Sequence, residues 1–308
     1  MPKYRLITRS DFDGLVCAIL FKELDMIDQI LFVHPKDMQD GMVDVSPNDI
    51  TTNLPYVPGV FLAFDHHLSE TLRISGHPAN HIIDPNAPSA ARVVYEYYGG
   101  KKRFTKVTDE LMDAVDKSDS GHFTQQEVLY PKKWGLLNFI MDPRTGLGRF
   151  KNFRVSNYDL MMTMIDFCRI HPINEILEHP DVADRIELYF EQEEKFKDQI
   201  RRCSTIYQNL VVLDLLDESI IYAGNRFMIY ALFPTINISI HALHGKNNSN
   251  TVFAVGKSIF NRTSNTDIGK LMLKYGGGGH LNAGTCQVDN DKAGAILAEL
   301  IDQINADG

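Results

Sequence analysis

The pattern that most restricts this chain is an alternation of short apolar runs with segments of helical periodicity in its first hundred residues. YRLIT (4–8) is apolar-rich, and GLVCAILFKEL (14–24) repeats apolar residues at helical spacing. ILFVH (30–34) reads as a second strand and DITTN (49–53) as a weaker one, ending before Leu54-Pro55. VFLAF (60–64) has the continuous apolar character of a strand buried on both faces. SAARVVYEYYG (89–99) reads as a helix ending at glycine. This alternation predicts an α/β fold, with an N-terminal mostly parallel sheet and crossover helices on both faces. In such sheets ligands sit beyond the carboxyl ends of the strands, where Asp11, Asp13 and Asp65 stand.

The second half reads differently. DVADRIELYFEQEEKFKDQIRRC (181–203) is charge-dense and glycine-free, which predicts a long solvated helix placed as a connector. NLVVLDL, RFMIYALF, INISIHAL and TVFAVGKSIF are β-rich runs, and DIGKLMLKYGGGGH is a helix running into glycines. The expected organisation is a domain over 1–180, a connector helix over 181–206, and a smaller α+β domain over 207–308. With 308 residues the chain is long enough for two cores.

Composition limits the function classes. A net charge of -9 argues against broad, non-specific wrapping of nucleic acid, while leaving room for a local basic pocket. Cys17, Cys168, Cys203 and Cys286 lie far apart without a CxxC pair, as in a cytoplasmic protein with reduced thiols. No apolar run approaches a membrane span and no signal peptide is read, so no membrane partner is expected. A homodimer is compatible with the sequence, although no apolar edge is identified for it.

Four places concentrate unusual chemistry. In SDFDG, Asp11 and Asp13 straddle a phenylalanine and precede Gly14. Asp and Gly favour turns and N-caps, and paired carboxylates also favour a metal. In FDHHLSE, Asp65, His66 and His67 follow a buried strand and offer mixed oxygen and nitrogen ligands, which suits Mn²⁺-like ions. AVDKSDSGHFT carries Asp116 and Asp119 at a helix end, where a polar C-terminus is the plainer explanation. Lastly, VGKSIFNRTSNTDIGKLMLKYGGGGHLNAG combines a glycine run with Arg262 and His280, a composition suited to phosphate oxygens.

DxDG, then DHH, a distal Asp, a connector helix and GGGGH, in this order over nearly the whole chain, resemble the DHH phosphoesterase superfamily. The smaller C-terminal part is similar to the DHH-associated domain. DPNAPSAARVVYEYYG and MDPRTGLGRF resemble bacterial proteins labelled exopolyphosphatase-related, and the superfamily also includes oligoribonuclease-like members. The resemblance implies metal ligation by Asp11, Asp13, Asp65 and Asp119, with Asp116 as the alternative to Asp119. It implies catalytic roles for Asp65, His66 and His67, and substrate binding by Arg262, Gly277, Gly278, Gly279 and His280. One or two Mn²⁺ (or Mg²⁺) ions would activate a water against a phosphorus held in an interdomain cleft.

Two positions depart from the family pattern. Arg9 stands where many relatives carry histidine, and a guanidinium cannot ligate a metal. Asn53 aligns with a family aspartate, with Asp49 and Asp44 as substitutes if the strand register differs. If both face the site, weak or single-metal binding follows. The expected function is a metal-dependent phosphohydrolase acting on short oligonucleotides or nucleotides, with polyphosphate the less attractive substrate. The alternative is a degenerate relative that binds a nucleotide or polyphosphate with weak or no turnover.

Overall fold

The structure, a computed structural model, describes residues 3–74, 76 and 78–308. The chain forms two compact units, one of Met1–Phe123 with Pro131–Glu187 and one of Thr124–Tyr130 with Leu188–Gly308. The division falls inside the helix Pro180–Cys203, between Glu187 and Leu188. A continuous helix offers no Gly or Pro punctuation there, so local pattern carries no signal of this boundary.

In the first unit five strands, β1 (Tyr4–Arg9), β2 (Ile27–Val33), β3 (Asp49–Thr52), β4 (Leu62–Asp65) and β5 (His81–Ile83), form a sheet of order β2-β1-β3-β4-β5. Every pairing is parallel. Strand order turns back at β1, which has β2 on one side and β3 on the other, and such a reversal opens a crevice at the carboxyl ends. Among its helices are α1 (Phe12–Glu23), α2 (Pro35–Gln39), α3 (Leu68–Arg73), α4 (Ala90–Tyr97) and α5 (Asp109–Ser120).

Helix α1 is buried continuously from Phe12 to Phe21. Its side chains are apolar on nearly every face, which suits a helix enclosed on all sides. Leu15, Val16, Ile19 and Leu20 are at most 1% exposed, and each such side chain contributes about 1.5–3 kcal/mol by leaving water. Gly14 lets this helix start tightly against β1: a Cβ there would lie 1.9 Å from the Arg9 carbonyl oxygen and 2.8 Å from Thr8 Oγ1. Helix α5 stops at Gly121, whose φ of +66 favours glycine, and this leaves Asp119 in the last turn.

The second unit holds a six-stranded sheet of order β10-β11-β9-β8-β7-β6. Its strands are β6 (Ser204–Tyr207), β7 (Leu210–Asp214), β8 (Ile238–His244), β9 (Thr251–Lys257), β10 (Gly278–His280) and β11 (Ala283–Val288). Leu210, Val212, Ile240, Phe253, Ile268 and Leu300 form part of its core. One expected strand is a helix: RFMIYALF holds Met228–Leu232 in helical form, with Met228, Ile229, Tyr230 and Ala231 buried. A short run that is apolar throughout does not separate a buried strand from a buried helical turn. Here Asn225 Oδ1 accepts the Phe227 N–H at 3.1 Å and begins the turn.

The glycine run has distinct local duties. Gly276 has φ +72, and a Cβ on Gly277 would meet the Thr285 carbonyl oxygen at 2.1 Å. A Cβ on Gly279 would lie 2.4 Å from the Ala283 carbonyl oxygen, whereas one on Gly278 meets nothing within 4 Å. Close approach of β10 to β11 explains two of these glycines and a turn a third; neither requires Gly278.

Candidate active site

The carboxyl ends of β1, β3 and β4 carry the SDFDG, Asn53 and DHH residues. Asp11 and Asp13 divide the two readings of their motif. Asp11 is the N-cap of α1, its Oδ1 accepting the Gly14 N–H at 3.0 Å. Asp13 is 1% exposed and lies in the first turn. Its Oδ2 accepts the Ala90 N–H at 3.0 Å and its Oδ1 the Ala91 N–H at 2.8 Å. These amides open α4, whose positive dipole end favours a carboxylate.

Ligand atoms of Asp13, His66 and Asp119 lie within 4.8 Å of one another. His66 Nε2 is 2.9 Å from Asp119 Oδ2, and its Nδ1 lies 3.1 Å from the Ala87 carbonyl oxygen. An imidazole whose Nδ1–H is held by a backbone carbonyl presents Nε2 as a metal ligand. Asp65, 1% exposed, takes a 2.7 Å contact from His67 Nδ1 on Oδ1, while its buried Oδ2 has no hydrogen-bond partner among the described residues. Carboxylates gathered around an imidazole, with an orphaned buried oxygen beside them, fit a divalent cation of the Mn²⁺ or Mg²⁺ type.

The clustered groups shift one another's proton affinities. Burial, then the neighbouring Asp119 charge, push the Asp13 carboxyl up to about 8. Burial opposes charge on His66, but its hydrogen bond to Asp119 and the surrounding carboxylates raise it to about 10. Burial also works against the Asp119 charge, yet the His66 contact holds its pKa below the usual carboxylate value. Asp13 and His66 both bind protons more tightly folded than unfolded, so their contribution to stability is lost as pH rises. Their windows, from 3.8 to about 8 and from 6.5 to about 10, overlap between pH 6.5 and 8. Asp119 has the opposite sign, but its window closes below 3.8. Metal-free protein is expected to lose thermal stability from pH 6.5 to 8, and the Mn²⁺-induced rise in Tm is expected to grow over the same range. Melting curves at fixed ionic strength check both, and a pH-independent metal effect would contradict the account.

Other candidates are placed elsewhere. Asp116 accepts from Ser89 Oγ at 2.7 Å and from Arg92 Nε at 2.9 Å, so it fastens α5 to the start of α4. Asp49 opens β3, away from the carboxyl ends, and accepts from Arg5 Nε at 2.7 Å and the Ser46 N–H at 2.6 Å. Asp11 lies outside the three-residue cluster; Arg9 Nε pairs with its Oδ2 at 2.9 Å, and Asn53 Nδ2 donates to its Oδ1 at 3.2 Å. Arg262 and His280 belong to the second unit, where Arg262 Nε donates to the Ile259 carbonyl at 3.1 Å and His280 ends β10.

Sequence reasoning passed over two contributors. The stretch 84–91 supplies the Ala87 carbonyl and the Ala90 and Ala91 amides that orient His66 and Asp13. Its signal is Ser89, a helix N-cap whose Oγ accepts the Arg92 N–H. Arg144 is the other. Burial disfavours its charge, but Asp142, Asp11 and Asp119 raise its pKa, and Asp142 grips its guanidinium at 2.8 Å. A single arginine in the three-residue 3-10 turn Pro143–Thr145 carries no periodic signal.

No protein-family model matches the chain, and no curated protein matches it. Among solved structures, the pGpG-specific phosphodiesterase PggH from Vibrio cholerae is 60% identical, with a TM-score of 0.86 and coverage of 99% of this chain and 100% of that one. RecJ from Thermus thermophilus in complex with Mn²⁺ has 12% identity and a TM-score of 0.54, over 98% of this chain and 52% of that one. CDC45 from Entamoeba histolytica has 9% identity and a TM-score of 0.52, over 98% and 95%. The latter two likenesses concern the fold. Motifs in order, a cluster of Asp13, His66 and Asp119, and full-length similarity at 60% identity agree: the chain belongs to the DHH phosphoesterase superfamily and is a hydrolase of phosphate esters.

Proposed function

We propose that this enzyme is a phosphodiesterase that hydrolyses pGpG, adding water across the single bridging phosphodiester to leave two GMP. The similarity over full length to the pGpG-specific enzyme carries this reading. Asp13, His66 and Asp119 would hold the ion, with Asp65 adding its unpartnered oxygen. When bound, a divalent ion supplies Lewis acidity at a phosphate oxygen and acidifies a water. The chain's own contribution is orientation: the Ala87 carbonyl keeps the proton on His66 Nδ1, and the α4 amides hold Asp13 in one rotamer. His67, paired with Asp65, supports that carboxylate and keeps a proton near the site. Its burial opposes protonation, but the Asp65 hydrogen bond raises its pKa.

Substrate binding is assigned to Arg262, Gly277, Gly278, Gly279 and His280 of the second unit. Gly278 offers a sharp test, because its missing side chain serves no packing need. Gly278→Ala is expected to keep the wild-type melting temperature while raising KM for pGpG about tenfold or more, equivalent to about 1.4 kcal/mol. Unchanged KM would remove the glycine run from the substrate site. The reading of a binder with weak or no turnover rests on Arg9 and Asn53, whereas the full-length similarity to a phosphodiesterase favours turnover.

The direct test is hydrolysis of pGpG by purified protein with Mn²⁺ or Mg²⁺, alongside longer oligonucleotides and polyphosphate. Release of GMP from pGpG is the expected result. Polyphosphate turnover without pGpG turnover would overturn the proposal.

A further inference from the structure

Both departures from the family pattern meet on one carboxylate. Arg9 ends β1, and Asn53 follows β3 by one residue. These strands pair up to Thr8 opposite Thr52, so the two residues are neighbours one step beyond the last rung. Each reaches Asp11: Arg9 Nε lies 2.9 Å from Oδ2, and Asn53 Nδ2 lies 3.2 and 3.4 Å from Oδ1 and Oδ2. The Gly14 N–H takes Oδ1 as well, at 3.0 Å.

We propose, building on the phosphodiesterase reading, that Arg9 permanently takes the place of a second divalent cation, leaving a centre that holds one ion. The argument is one of ligands and charge. A carboxylate that binds a metal must turn an oxygen toward it, and both oxygens of Asp11 are already engaged by protein donors. Arginine cannot deprotonate to become a ligand, and its positive charge repels a cation brought to the same carboxylate. Asn53 presents its donor to Asp11 and contributes no negative charge. Its Oδ1, buried without a partner among the described residues, remains a neutral acceptor. The other carboxylates are differently placed: Asp13 and Asp119 converge on His66, and Asp65 keeps an oxygen unpartnered.

The expected consequence is a stoichiometry. Wild-type protein dialysed against Mn²⁺ should bind one ion per chain by atomic emission, and its electron paramagnetic resonance spectrum should be that of isolated Mn²⁺. The double variant Arg9→His with Asn53→Asp should bind two, with the broadened spectrum of a coupled pair. Aspartate tolerates the left-handed φ of +54 at position 53 nearly as well as asparagine, so the exchange is compatible with the backbone. Two coupled ions in the wild type would overturn the proposal, as would a double variant, folded by circular dichroism, that still binds one. If the double variant does not fold, the wild-type stoichiometry decides alone. Assaying pGpG hydrolysis in the same samples separates the two readings. Two coupled ions with hydrolysis overturn the single-ion inference only; one ion without hydrolysis supports it and overturns the assigned activity.

Discussion

Asp119→Asn is expected to lower kcat/KM for pGpG about 1,000-fold, because it removes charge from the cation site with almost no change in shape. Losing several kcal/mol of transition-state stabilisation of the kind a metal supplies amounts to about three powers of ten. Mn²⁺ affinity should fall by more than the about 10–100-fold that follows loss of an outer-shell partner. The side chain is 22% exposed, so the fold should tolerate the change. The variant also removes what holds the His66 proton, and the decline in metal-free stability between pH 6.5 and 8 should flatten. Asp116→Asn is the informative contrast. It breaks bonds to Ser89 and Arg92 and should destabilise by about 1.5–3 kcal/mol, the usual worth of hydrogen bonds to charged groups. Its Mn²⁺ affinity should change far less than that of Asp119→Asn. Equal losses of metal from both variants would mean that Asp119 is not the ligand.

Gly14→Ala is expected to be the most damaging single methyl group in the first unit. The added carbon would sit 1.9 Å from a backbone oxygen, which has no rotamer through which to yield. Overpacking costs about 1–3 kcal/mol, and a clash with backbone oxygen belongs at the upper end of that range. At about 2–4 °C per kcal/mol for a unit of this size, the melting temperature should fall by roughly 6–12 °C. Activity should fall with it, since relief of the clash moves the start of α1 and hence Asp11 and Asp13 together. A variant with wild-type melting temperature would show that α1 does not start against β1 in this way. This close approach explains why glycine follows the aspartate pair, in helical backbone where no left-handed φ is involved.

The alternation of strands and helices was legible because each of these elements carries its own periodicity. β1, α1, β4 and α4 all lie within a few residues of the expected spans. Met228–Leu232 was not, because an apolar run of that length looks alike in either form. Strands β5, β6 and β10 are too short to carry a periodic pattern, and their pairing partners make them strands. For the site, the motif residues and the family resemblance pointed to the region, while division of labour within it was hidden. Asp11 and Asp13 are indistinguishable in the motif. They separate only because α1 begins between them, which turns the first into a cap and buries the second against the amides of α4. Asp116 and Asp119 separate for a similar reason, since Ser89 and Arg92 claim the former.

Residue order alone thus establishes the parallel α/β architecture, the superfamily and the set of candidate ligands, since these follow from local periodicity and from motifs short enough to read in line. Which carboxylate faces the ion, and which is tied up by protein donors, depends on contacts between residues distant in the chain. The meeting of Arg9, Asp11 and Asn53 is the clearest case: parallel pairing of β1 with β3 brings a cation and an amide to one carboxylate. Hydrogen bonds and charge act over a few ångströms of space, and the register of the sheet decides which residues come that close.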